Sequence, residues 1–107
     1  MSFVATENKG FGITFENGFG ISVQWGTMNY CERKNLGAEY KDEMKTPRWE
    51  SRTAEIAIYK DKKFIDIGDD TVIGWCSPDE VAKCIAIVSV DDTTENEIRE
   101  KIKALKI

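Results

Sequence analysis

The 107-residue sequence contains no histidine. That removes the side chain most often used as a general base near neutral pH, and with it the commonest metal ligand. Cysteine is scarce: Cys31, Cys76 and Cys84 form no CxxC pair and leave one thiol over. An odd, unpaired set fits a reducing cytosol better than a secreted, disulfide-framed domain. No apolar run approaches the ~20 residues of a membrane span. The opening stretch, MSFVATENKG, lacks the basic segment and apolar core of a signal peptide. A concentrated positive field is missing as well. Fifteen basic residues are scattered among nineteen acidic ones for a net charge of −4, which disfavours non-specific nucleic-acid binding. The acids are too dispersed for a DNA mimic.

What is there suffices for one domain spanning residues 1–107, with enough β-branched and aromatic residues to build a core without metal or disulfides. The clearest local signal is GFGITFENGFGISVQWG, residues 10–26. Phe11, Ile13 and Phe15 alternate with small or polar residues. Phe19, Ile21, Val23 and Trp25 do the same across an Asn17-Gly18 turn, which predicts a β-hairpin. A two-residue Asn-Gly turn would put the two apolar sets on opposite faces. A three-residue loop, Glu16-Asn17-Gly18, pairs Phe15 with Phe19 and gathers both sets on one face. It also puts Gly18 where the backbone needs a positive φ. We therefore expect the three-residue loop. Gly12 and Gly20 then leave the other face bare enough for close packing.

Residues 27–51 follow no clean period and read as a long irregular loop, with 38–45 able to hold a short helical turn. Alternation resumes at Ala54, Ile56 and Ile58. The polar turn Lys60-Asp61-Lys62-Lys63 leads to Phe64–Ile67 in a register that pairs Ile58 with Ile65. After Gly68-Asp69-Asp70, residues 71–75 complete a three-strand meander. Ser77-Pro78-Asp79-Glu80 is a helix start with a capping box. Val81, Cys84, Ile85 and Val88 recur at helical spacing, although the tail CIAIVSV (residues 84–90) also suits a strand. Thr94-Glu95-Asn96-Glu97 opens a second helix with Ile98, Ile102 and Leu105 on one stripe. The expected fold class is α+β: an antiparallel sheet of about five strands, hairpin plus three-strand meander, followed by two C-terminal helices.

The long loop and its edges collect the residues with recognition chemistry. Trp25, Tyr30 and Trp49 offer faces for stacking on a ring, while Arg33 and Arg52 offer forks for phosphate. Asn29 offers both a donor and an acceptor for a base edge. Tyr40 and Arg48 belong to the same collection. The competing reading places Trp25 and Trp49 partly in the core, where aromatics usually serve. The glycines do not form a phosphate loop, because GFGITFENG is not GxGxxG and sits inside a hairpin. Cys31 is expected to be an exposed structural thiol, and Cys76 and Cys84 small core residues. Asp66, Asp69 and Asp70 cluster at a turn without calcium-loop spacing, so a solvated acidic turn is expected.

The hairpin followed by QWGTMNYC, then SRTAEIAIY and VIGWCSPDEVA, resembles a set of short uncharacterised proteins encoded by phages and prophages. The likeness covers most of the chain beyond its first eight residues. It implies a small cytosolic protein made in an infected bacterium, in a class that often works by binding. The expected function is that of a non-enzymatic accessory protein that sequesters a small nucleotide-like defence signal, without a cofactor. The alternative is an inhibitor or adaptor that acts on a host defence protein or a phage protein. A homo-oligomer suits either reading.

Overall fold

The computed structural model describes residues 1–7, 9–34, 48–68 and 70–105. The helical turn expected at 38–45, and with it Tyr40, lies outside these residues, as does Asp69. Strands β1 (Ser2–Thr6), β2 (Gly10–Thr14), β3 (Phe19–Gln24), β4 (Ala54–Lys60), β5 (Lys63–Phe64) and β6 (Val72–Cys76) precede helices α1 (Pro78–Val88) and α2 (Glu95–Ala104). The class is α+β, with an open antiparallel sheet in front of two C-terminal helices.

The β2–β3 hairpin has the register its apolar pattern demands. Ile13 faces Ile21 and Phe11 faces Val23. The Phe15 N–H donates to the Phe19 carbonyl at 2.8 Å, and the Gly18 N–H donates to the Phe15 carbonyl at 3.0 Å, which closes the three-residue loop. Gly18 sits at φ +92°, where a Cβ would be strained. The loop does more than turn the chain. The Asn17 side-chain amide donates to the carbonyls of Val88 and Val90 at 2.8 and 2.7 Å, fastening the hairpin tip to the end of α1. Its Oδ1 accepts the Phe19 N–H at 2.9 Å.

β4 pairs with β3, setting Ile58 opposite Ile21 and Ile56 opposite Val23. This continues the apolar face. The turn into β5 keeps the expected register, since the Ile65 N–H donates to the Ile58 carbonyl at 2.8 Å. Pairing runs one step further than the sequence suggests, to Lys60 opposite Lys63. Asp61 and Lys62 then form a two-residue turn at φ 52° and 66°, primed-turn geometry achieved without glycine. β6 also joins β4, through Ala54–Cys76 and Ile56–Ile73 pairs with a bulge between them, so β5 and β6 share one edge of β4. At the other side of the sheet, β1 adds a strand that no apolar period or turn motif announces, pairing Phe3 with Ile13 and Ala5 with Phe11.

Both helices start where their caps predict. The Ser77 Oγ accepts the Glu80 N–H at 3.2 Å, and the Glu80 carboxylate accepts the Ser77 N–H at 2.8 Å. The Thr94 Oγ1 accepts the Glu97 N–H at 3.2 Å. The open choice over CIAIVSV resolves as helix as far as Val88, since the cap starts a helical period that buries Cys84 and Val88. Ile98 and Ile102 of α2 are buried with them against Ile21, Ile56 and Ile58. The bare face also finds its partner. Tyr59 lies over Gly20 so closely that a Cβ there would collide with the ring. Its hydroxyl reaches the Thr14 hydroxyl at 3.0 Å.

Candidate functional site

Between Trp25 and Lys34 the chain is held by its own side chains. The Asn29 Oδ1 accepts the Gly26 N–H at 2.9 Å. Its amide nitrogen faces the Gln24 Oε1 at 3.4 Å and the Glu55 Oε1 at 3.3 Å. The second Glu55 oxygen accepts the Tyr30 N–H at 2.9 Å. Only 7% of Asn29 is exposed, so its donor and acceptor groups are spent on the loop rather than presented to a ligand. Cys31 departs from the expectation of an exposed thiol. It is buried, and its Sγ donates to the Gly26 carbonyl at 3.4 Å. A small side chain fits beneath the turn that Asn29 closes. The returning segment is clamped alongside. The Glu32 N–H donates to the Thr53 Oγ1 at 2.8 Å, and the Glu32 carboxylate accepts the Arg52 N–H and lies 3.7 Å from its guanidinium.

The anticipated aromatic and arginine residues divide into two groups. On the helix-bearing side, Trp25 stands edge-on to Phe11 with ring centroids 6.2 Å apart, and Trp49 tilts against Trp25 at 6.2 Å. The Arg33 guanidinium covers the Trp49 ring at 4.7 Å and donates to the Glu50 carbonyl at 3.1 Å. Next to Trp25 lies a cavity of about 280 Å³ lined by Val23, Trp25, Arg52, Ala54, Cys76 and Val81, together with Ser51, whose hydroxyl donates to the Thr53 carbonyl at 2.7 Å, and Thr53. It sits where the ends of β3, β4 and β6 meet the start of α1. The walls are mainly apolar, and Arg52 supplies the positive charge. Trp25 is half-buried against the core while one side lines the cavity, so core packing and ligand contact are compatible in this residue.

Tyr30 belongs to the other group. Its ring lies 5.6 Å from Trp75, with the Lys34 ammonium 4.8 Å from its centroid. Gly74 permits this approach, because a Cβ at that position would come within 2.6 Å of the Tyr30 Cβ. The Trp75 N–H donates to the Tyr30 carbonyl at 2.8 Å. Trp75 itself has φ 52° and is 56% exposed. A large residue in the left-handed region stores strain. The strand pattern over residues 71–75 predicts an ordinary strand residue at Trp75. The one signal available was the Gly74-Trp75 pair inside a strand pattern, which marks a bulge.

The thiol that lines the cavity is not poised for chemistry. Burial, reinforced by Cys84 and Glu80, pushes Cys76 up to about 12, and burial with Glu80 pushes Cys84 up to about 11. Both are neutral thiols at physiological pH, packed as small core residues. Among the described residues, no group of three or more Asp, Glu or Cys side chains could hold a metal ion, and no helix is long and apolar enough to cross a membrane. No family model, no curated protein and no solved structure matches the chain.

Proposed function

We propose that the protein is a non-catalytic binding module that holds a small, flat, anionic ligand in the cavity beside Trp25, with Arg52 facing the anion. The observation that carries this reading is an apolar slot with one aromatic wall, Trp25, and with Arg52 at its rim, whose largely exposed side chain lies 3.7 Å from Glu32. A ring packs on Trp25 and Val81, its polar edge meets the hydroxyls of Ser51 and Thr53, and an acidic substituent exchanges with Glu32 for Arg52. The volume narrows the ligand class. About 280 Å³ is just below the ~300–1,000 Å³ of pockets that enclose drug-sized ligands. One base with its first phosphate suits it better than both halves of a dinucleotide. A nucleotide-like defence signal of that size, sequestered rather than converted, matches the function the resemblance implies.

Thermal shift and tryptophan fluorescence against nucleoside monophosphates and the matching neutral nucleosides test this. A ligand present at a hundred times its Kd adds about 2.7 kcal/mol of stability. Val81→Trp fills the slot and abolishes that shift, while Arg52→Glu removes the preference for the monophosphate. Absence of any shift across the panel, or unimpaired binding by Val81→Trp, overturns the proposal.

The exposed Tyr30–Trp75 pair favours a second reading, that of an adaptor or inhibitor contacting a host or phage protein. The strain at Trp75 displays an aromatic ring to solvent rather than to the core. Under this reading Trp75→Ala eliminates a stoichiometric partner while small-ligand binding persists. Charge reversal of Arg33 and Arg52 has the opposite selectivity.

A further inference from the structure

β1 is an outer strand of the sheet and pairs with β2 alone among the described residues. Its five residues, SFVAT, include no charge, no proline and no bulge. Sheet edges are normally guarded by such features against pairing with another chain. Phe3 is 84% exposed and Val4 50%. Alternation places Phe3 and Ala5 on the helix-bearing side, beside Ile13 and Phe11, and Val4 on the side of Gly12.

The ladder shows which backbone groups are available. The Phe15 N–H points to β3. The alternate residues Gly10, Gly12 and Thr14 therefore direct theirs to β1, where they face Thr6, Val4 and Ser2. Phe3 and Ala5 in consequence direct their N–H and C=O groups outward.

We propose that β1 pairs antiparallel with β1 of a second copy about a two-fold axis at Val4. In that register Phe3 of each copy lies opposite Ala5 of the other, so the outward groups form both hydrogen-bonded pairs of the new ladder. The two Val4 residues meet as a non-hydrogen-bonded pair. The side chains are self-complementary. Across the seam the helix-bearing face reads Ile13, Phe3, then the other copy's Ala5 and Phe11, so each bulky ring gains a small neighbour followed by an aromatic one. The neutral strand brings no like charges together, although each chain carries a net charge of −4. α1 contacts β3, β4 and β6, so among the described residues neither helix roofs the seam. Two five-residue strands make an interface at the small end of the specific range, so the dimer forms weakly and with rising concentration.

Sedimentation equilibrium and disulfide trapping test this. The native chain shifts from monomer to dimer across the micromolar range. Ala5→Pro abolishes the shift with an unchanged melting curve, because the lost N–H points away from β2. Val4→Cys places two Cα atoms about 4.5 Å apart, inside the ~4.4–6.8 Å window for a disulfide, and the three native cysteines are buried. Mild oxidation therefore yields a covalent dimer of Val4→Cys. Phe3→Cys gives none, since its diagonal separation is about 7–8 Å. A native chain monomeric to about 1 mM, a dimer indifferent to a folded Ala5→Pro, or a Phe3→Cys that crosslinks as readily as Val4→Cys overturns the proposal.

Discussion

Strands β3 and β4 and strands β1 and β2 belong to one sheet, yet the helices cover the two halves of its apolar face to different extents. Ile21, Ile56 and Ile58 lie under α1 and α2 with no exposure at all, whereas Phe3 is 84% exposed and Ile13 is half-buried. Alternation decides which face is apolar. Which part of that face is covered depends on where the helices dock, and the contacts of α1 with β3, β4 and β6 fix that. The tie from Asn17 to Val88 and Val90 helps hold α1 over the covered half. The slot beside Trp25 belongs to the covered half, while β1, at the margin of the other, pairs with β2 alone among the described residues.

The contrast can be broken at several points. The largest effect is expected in the covered half: Ile56→Ala costs about 2–5 kcal/mol in urea unfolding, because a completely buried side chain leaves a cavity. Phe3→Ala, of comparable apolar bulk, stays within about 0.5 kcal/mol for the monomer. Equal costs for the two would show that the β1–β2 face is roofed after all. Gly20→Ala comes next. Its Cβ would collide with the Tyr59 ring, and overpacking of this kind costs about 1–3 kcal/mol. Combining it with Tyr59→Leu recovers part of the loss. Asn17→Ala releases two carbonyls at the end of α1 and the Phe19 N–H, at about 1–2 kcal/mol. Hydrogen exchange should speed up at the last turn of α1 and leave β1 unaffected.

The remaining effect is one of pH, and it grows with alkalinity. Cys76 and Cys84 titrate in the folded protein near 12 and 11, above the ~8.5 of an unfolded thiol. The unfolded chain therefore releases these protons first. Stability is full below about pH 8 and declines from there as pH rises towards the folded values. Urea melts from pH 7 to 10.5 should show this slope, and Cys84→Ala should flatten it.

Much of the fold was legible because each signal was local. Apolar alternation fixed the hairpin loop at Glu16–Gly18, and Ser77 and Thr94 announced their helices through side chains that cap within three residues. β1 escaped notice because five residues of mixed size, without a turn motif in view, carry no period of their own. The return of β6 to β4 was equally invisible, since the choice between neighbouring strand edges is made by packing. The candidate site was legible only as a collection. Asn29 looked like a reader of bases, but a carboxylate 26 residues away, Glu55, claims its amide. Tyr30 looked like a companion of Trp25, but a glycine in β6 draws it to Trp75 instead.

The sequence by itself determined the α+β class, the apolar faces of β2, β3 and β4, the hairpin register and the helix starts, because these follow from side-chain period, turn stereochemistry and capping within a few residues. It also determined that catalysis by histidine has no place here. Only the tertiary structure decided which aromatics meet, that Asn29 and Cys31 turn inward, that a slot opens beside Trp25, and that β1 pairs with β2 alone among the described residues. Those outcomes depend on side chains far apart in the chain competing for the same space and the same hydrogen-bonding groups, and no local pattern records how that competition ends.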